Sequence, residues 1–147
     1  MSESLQIRIT REEDYRFTVD FGEAMASLEA DLPAPLGQGA GPSPEHLLAA
    51  AVANCLSASL VFALRKFKQD AGAMETVVSC SVGRNEQNRM RISGMEAVIN
   101  LGRPAEGIEH LERVLGQFED FCTVSQSVQS GIPLSIHVED STGLRLK

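Results

Sequence analysis

The side chains that stand out for nucleophilic or soft-ligand chemistry at neutral pH are three cysteines, Cys55, Cys80 and Cys122, and three histidines, His46, His110 and His137. The histidines have no paired ligand spacing with one another. There is also no CxxC or HxxxH, so a bound metal is not expected. The run Gly37-Gln38-Gly39-Ala40-Gly41 precedes a helix start, as phosphate-cradling loops do. It lacks the strand and spacing of a dinucleotide loop and the Gly-Lys-Ser/Thr ending of a P-loop, so its glycines are read as shaping a turn. No serine sits in a GxSxG elbow. Thiol chemistry is what remains.

Each cysteine has a plain reading as a buried core residue, because a free thiol packs as a small hydrophobe. Cys80 alternates with Val78 and Val82 on one strand face and is expected in the core. Cys55 lies in the middle of a helix of small residues, AAAVANCLSAS, flanked by Asn54 and Ser57. Cys122 ends the apolar stripe of a second helix, where a following helical turn at Thr123-Val124-Ser125 can offer N–H groups to a thiolate. Both elements should pack in one core. If Cys55 and Cys122 come within disulfide distance, they form a reversible redox couple.

The elements that must hold these thiols follow from the hydrophobic pattern. Residues 5–9 and 15–21 alternate as strands, with Tyr15, Phe17, Val19 and Phe21 on one face and the charged run 11–14 as the turn. A Pro/Gly-rich loop from 30 to 44 ends at a helix start, Ser43 as N-cap and Pro44 in the first turn. The helix is expected to run to Lys68, about 37 Å, with Gly72 ending it. A hairpin of 76–84 and 90–101 follows, with a bulge at Ser93-Gly94 to explain the change of parity between Ile92 and Met95. A second helix carries Ile108, Leu111, Leu115, Phe118 and Cys122 as one stripe. Leu134, Ile136 and Val138 alternate as the last strand. The expected class is α+β, with antiparallel sheets, a long central helix and a second helix, in one domain spanning residues 1–147.

Composition narrows the partners. The chain has 147 residues, 43% hydrophobic and 22% charged, enough for a packed core. Thirteen basic against 20 acidic residues leave a net charge of -7, which argues against nucleic acid and anionic membranes as partners. Aromatics are only 5%, too few for a base-stacking platform. Residues 47–64 carry no formal charge but are rich in Ala and include Asn54, Ser57 and Ser59, which suits a buried helix better than a membrane span. An odd cysteine count and a start without signal-peptide character lead us to expect a cytoplasmic protein.

The stretch Gly41-Pro42-Ser43-Pro44-Glu45-His46-Leu47-Leu48, with Cys55 ten residues after Glu45, resembles the first signature of the OsmC/Ohr family. Cys122-Thr123-Val124-Ser125, then Gly131-Ile132-Pro133 before a closing strand, resembles the second. The element order fits too, so the resemblance spans nearly the whole chain. It implies an OsmC-like fold, an intertwined homodimer and a thiol-dependent peroxidase of organic hydroperoxides. By position, Cys55 would be the peroxidatic cysteine, Cys122 the resolving one, and Glu45 the carboxylate that orients an activating arginine. No bound cofactor is implied, only an external dithiol reductant of lipoyl type.

Two features qualify how the site is assembled. On one straight helix Glu45 and Cys55 are about 15 Å apart along the axis, so a shared site needs helices paired across a two-fold axis. A mid-helix thiol also gets nothing from its own helix N-terminus, so a nearby cation is called for. The family carries it ahead of the first signature, but residues 20–44 here contain no Arg or Lys. The candidates are Arg8, Arg11 and, nearest, Arg16, a departure that suggests a more distant OsmC-like branch. A second class of function fits the same residues: a non-catalytic dimer binding a small apolar ligand in its interface pocket. A redox-sensing regulator ranks below both, for want of a basic DNA-reading element.

Overall fold

The computed structural model describes residues 2–22 and 24–147. The chain forms two compact units, residues 1–48 and 49–147.

The first unit is an antiparallel sheet of β1 (Arg8–Glu13), β2 (Arg16–Asp20) and β3 (Leu28–Ala30), in that order. The charged residues 11–13, expected as a turn, belong to β1. The reversal comes at Asp14, in the left-handed region at φ 48°. Side-chain charge does not exclude a strand whose six residues are all exposed. The short β3 was not expected. It pairs Phe17 with Ala30 and Val19 with Leu28.

The loop after β3 is built around Asp31, only 4% exposed. Its carboxylate accepts the N–H groups of Leu32 (2.8 Å), Gln38 (3.1 Å) and Ala40 (3.1 Å). The Ala40 N–H most of all, then those of Gln38 and Leu32, hold its pKa below the usual carboxylate range against the opposing effect of burial. Two of the loop glycines are required by close approach, as a turn-shaping role predicts. A Cβ on Gly37 would lie 2.1 Å from the Leu32 carbonyl oxygen, and one on Gly41 2.0 Å from that of Glu29.

The long helix α1 (Pro44–Arg65) starts where expected. Ser43 caps it: the His46 N–H donates to Ser43 Oγ (3.3 Å) and the Ser43 N–H donates back to His46 Nδ1 (3.1 Å). This is a reciprocal capping box with histidine in the place usually held by Glu or Gln. The helix ends earlier than expected, at Arg65. The Lys68 N–H reaches the Arg65 carbonyl and the Gln69 N–H that of Leu64, with Lys68 at φ 57°. That is a Schellman closure with Lys where glycine is customary. Gly72 serves elsewhere: it pairs with Gly102 in an isolated bridge, where a Cβ on Gly102 would meet the Ala73 N at 2.1 Å.

In the second unit, β4 (Glu75–Arg84) and β5 (Met90–Asn100) form the expected hairpin. Ser81 pairs with Gly94 and Val82 with Ile92, so Ser93 is the extra, bulged residue. Beyond it Met95, Ala97, Ile99 and Leu101 are all buried on one parity. The third strand, β6 (Leu134–Glu139), runs parallel to β5, so this sheet is mixed and not wholly antiparallel. The connection from 101 to 133 is long enough for a parallel crossover.

That crossover contains α2 (Leu111–Gln117), a 3-10 turn (Phe118–Phe121) and α3 (Thr123–Val128). The single stripe expected from Ile108 to Cys122 is therefore broken. Ile108 precedes the helix, and Cys122 is extended at φ -88°, ψ 95°. Val114, Phe118, Cys122 and Ser125 are fully buried, with Val52, Leu56, Leu60 and Leu64 of α1. By length and composition α1 could cross a membrane. Its buried face carries those four core residues, and its other side exposes Ala50, Asn54, Ala58 and Phe62. Cys80 is half-buried beside Val78 and not in the core, and Val82 beyond it is 45% exposed.

Candidate functional site

The second unit brings Cys55 and Cys122 together at the start of α3. Cys122 is the N-cap of that helix: its Sγ accepts the Ser125 N–H at 3.4 Å. The neighbouring Val124 N–H points to the other thiol, 3.5 Å from Cys55 Sγ. Two successive backbone donors thus serve two sulfurs from elements 67 residues apart in the sequence. The expectation that a turn after Cys122 would present N–H groups to a thiol holds for both cysteines.

The two thiols differ. Cys55 is half-buried on α1, whereas Cys122 is fully buried. Burial pushes the Cys122 thiol above its ordinary pKa. Its hydrogen bond with the Cys55 thiol adds to the rise, and the side chain and N–H of Ser125 pull the other way. Neither is in a disulfide. A buried neutral thiol touching a more accessible one, with N–H donors on each, is suited to exchange between dithiol and disulfide.

The walls nearby are aromatic and cationic. Phe62 of α1 meets Phe121 edge-to-face, ring centroids 5.4 Å apart, and Lys66 Nζ lies 4.3 Å from the Phe121 centroid. Ser57 Oγ, two residues after Cys55, is 2.6 Å from Thr76 Oγ1 of β4 and bonds back to the Ala53 carbonyl, which pins this turn of α1 to the sheet. Among the described residues no three His, Cys, Asp or Glu side chains converge as metal ligands.

The charged candidates lie in the first unit. Glu45 is at the second position of α1, inside the Ser43–His46 capping box. Arg16 on β2 is held by acidic neighbours, its Nε 3.3 Å from Glu29 Oε1 and its Nη2 3.8 Å from Glu13 Oε2. The Nε is buried, and its approach to Glu29 is close enough for an ion pair but not aligned as a hydrogen bond. Glu13 and Glu29, not Glu45, are the carboxylates paired with Arg16 among the described residues.

Sequence reasoning missed His46 as half of a capping box and Ser125 as a buried contact of Cys122. The Ser-x-x-His spacing was a signal for the first. Nothing in the pattern marks Ser125 as buried.

These features define an α+β protein with a two-cysteine centre, one thiol buried and the other half-buried. The model of the OsmC-like protein family matches residues 37–137, and the chain belongs to that family. No curated protein matches it. Among solved structures it is similar to an OsmC-like protein of Mycoplasma pneumoniae (14% identity, 95% of this chain and 99% of that one, TM-score 0.77). It is also similar to organic hydroperoxide resistance proteins of Elizabethkingia anophelis (20% identity, 96% and 100%, TM-score 0.74) and Bacillus subtilis (19% identity, 92% and 98%, TM-score 0.67). The likeness confirms the OsmC-like fold.

Proposed function

We propose that this chain is a cysteine-based peroxidase that reduces organic hydroperoxides to alcohols. The observation that carries the reading is the shared cradle, in which Val124 N–H serves Cys55 Sγ and Ser125 N–H serves Cys122 Sγ. The names of the Elizabethkingia and Bacillus relatives support it.

The Cys55 thiolate attacks the terminal peroxide oxygen and the O–O bond breaks. The alkoxide takes a proton and leaves as an alcohol, and Cys55 is left as a sulfenic acid. Cys122 sulfur then attacks Cys55 sulfur, the S–O bond breaks, and the departing hydroxide takes up the Cys122 proton as water. An external dithiol, of lipoyl type in our reading, reduces the disulfide by two thiol exchanges and is itself oxidised. We place this cycle in the reducing cytoplasm. The working form in this reading is a homodimer, whose natural seam is the exposed line Ala50, Asn54, Ala58 and Phe62, where Ala50 and Ala58 let a second helix approach. Glu45 would then act on Cys55 of the other copy.

A second reading is favoured by the occupied state of Arg16 and by an apolar hollow of about 370 Å³ in the first unit, lined by Tyr15, Phe17, Val19, Leu32 and Leu47 among others. In that case the chain binds a small apolar ligand and performs no turnover.

Coupled consumption of cumene hydroperoxide with dihydrolipoamide separates the two. Fast turnover abolished in Cys55→Ser, and faster than with hydrogen peroxide, is expected. Wild-type turnover no higher than that of Cys55→Ser would sink the peroxidase and leave the binding reading.

A further inference from the structure

Ser125 is completely buried, and a hydroxyl without good hydrogen bonds is costly in such a place. Its Oγ lies 3.4 Å from the Cys122 carbonyl oxygen, a long contact for an O–H donor. Its N–H goes to Cys122 Sγ at 3.4 Å. The helix itself does not need the hydroxyl, because the cap is made by the Cys122 sulfur and the Ser125 backbone. An alanine would satisfy the same cap and packing at lower desolvation cost. What the hydroxyl has beside it is Cys122: its carbonyl oxygen at 3.4 Å, and its sulfur, on whose proton the Ser125 side chain already acts in the lowering direction.

We propose that Ser125 activates Cys122 for disulfide formation, its hydroxyl turning onto the Cys122 sulfur as that sulfur gives up its proton. The proposal deepens the peroxidase reading and rests on it for the identity of the electrophile, the Cys55 sulfenic acid. The need arises from burial. A fully buried thiol resists ionisation, and Cys122 is held above the ordinary thiol range by its desolvation. In the resolving step negative charge gathers on that sulfur while its proton passes to the departing hydroxyl of the sulfenic acid. A donor that strengthens its bond as the charge develops lowers this barrier and does little for the peroxide step at Cys55. Ser125 offers two such donors, one fixed in the backbone and one rotatable.

The test compares Ser125→Thr with Ser125→Val, near-isosteres with and without the hydroxyl, and adds Ser125→Ala as the smaller change. After one equivalent of cumene hydroperoxide, the lifetime of the Cys55 sulfenic acid is read by trapping with a dimedone-type reagent and mass spectrometry. Ser125→Val and Ser125→Ala should prolong it roughly tenfold, the size of a lost bond to a charged group, with the first-step rate unchanged. Ser125→Thr should retain near wild-type resolution. Equal lifetimes in the Thr and Val variants would overturn the proposal.

A second measurement needs no peroxide. Thiolate absorbance of Cys122 is titrated in a Cys55→Ser, Cys80→Ser background, with and without Ser125→Ala. Loss of the hydroxyl should cut the Cys122 thiolate fraction at a fixed pH roughly tenfold, and an unchanged titration counts against the proposal. Because this readout is independent of turnover, a failure of the peroxidase assignment and a failure of the Ser125 role are told apart. If Ser125→Val does not fold, Ser125→Ala against wild type gives the same decision.

Discussion

The two units of the chain use their polar residues differently. In the first, charge is spent on architecture: Asp31 gathers three backbone N–H groups, and Arg16 is paired with Glu29 and Glu13. In the second, backbone donors at the head of α3 are directed to sulfur, while a different aspartate does the structural work. Asp140, 4% exposed, accepts from the N–H groups of Ala105, Thr142 and Leu144 and from the Thr142 hydroxyl. Both units therefore hold a buried carboxylate staple, and in the second the two thiols can change protonation and oxidation without taking the staple apart. A charged residue near a signature motif is thus not yet a catalytic one.

The largest test of this contrast is Cys55→Ser, for which hydroperoxide turnover should fall at least about a thousandfold, to background, in the coupled assay. Next, oxidation with a slight excess of cumene hydroperoxide should stabilise the protein. A disulfide closing a 67-residue loop is worth about 4 kcal/mol in the chain-entropy picture. Urea unfolding of oxidised against reduced protein reads it, and an unchanged midpoint would show that the two thiols do not join.

Substitutions in the first unit's loop should cost on the order of 2–4 kcal/mol for Gly37→Ala and Gly41→Ala, where an added Cβ meets backbone oxygen. Gly39→Ala, with open space but φ 66°, should cost about 1 kcal/mol. Equal costs at all three would mean the loop relaxes freely.

The two staples also predict an acid limb. Asp140 is drawn down to about 2, mainly by the Thr142 hydroxyl and then the Ala105 N–H, and Asp31 is lowered too. A carboxyl depressed in the folded state contributes stability above its unfolded pKa, about 3.9, and loses it as the pH falls through the folded value. Thermal unfolding should therefore drop steeply between about pH 4 and 2, and Asp140→Asn should flatten that limb while lowering Tm by several degrees at pH 7. The smallest expected effect is at Arg16. Arg16→Gln should leave turnover within about fivefold, because its partners make it a structural ion pair. A loss as deep as that of Cys55→Ser would mark Arg16 as the activating cation and erase the contrast.

Much of this was legible in the residues themselves. Parity alone located the Ser93 bulge, and Ser43-Pro44 marked the start of α1. The signatures singled out Cys55 and Cys122. Other features were hidden for physical reasons. Three residues of β3 are too few for a period to register. A helix and a 3-10 turn both repeat every three to four residues, so the stripe from Ile108 to Cys122 reads as continuous. Lys68 closes α1 in a conformation that side-chain type does not announce. Direction is not written in an alternating strand, so β6 gave no sign of lying parallel to β5. The thiol cradle depends on the φ, ψ of Cys122, a backbone fact with no signal in its side chain.

The adjacency of the two thiol-directed amides has a spectroscopic consequence. Val124 and Ser125 are neighbours, and each N–H points to a different sulfur. In an amide correlation spectrum of nitrogen-labelled protein, their two resonances form an internal pair of probes, the Val124 signal following Cys55 and the Ser125 signal following Cys122. A change that moves only the first marks chemistry on Cys55 alone, and one that moves both marks the joined pair. The molecule thus carries its own backbone record of which sulfur has reacted, in chain order.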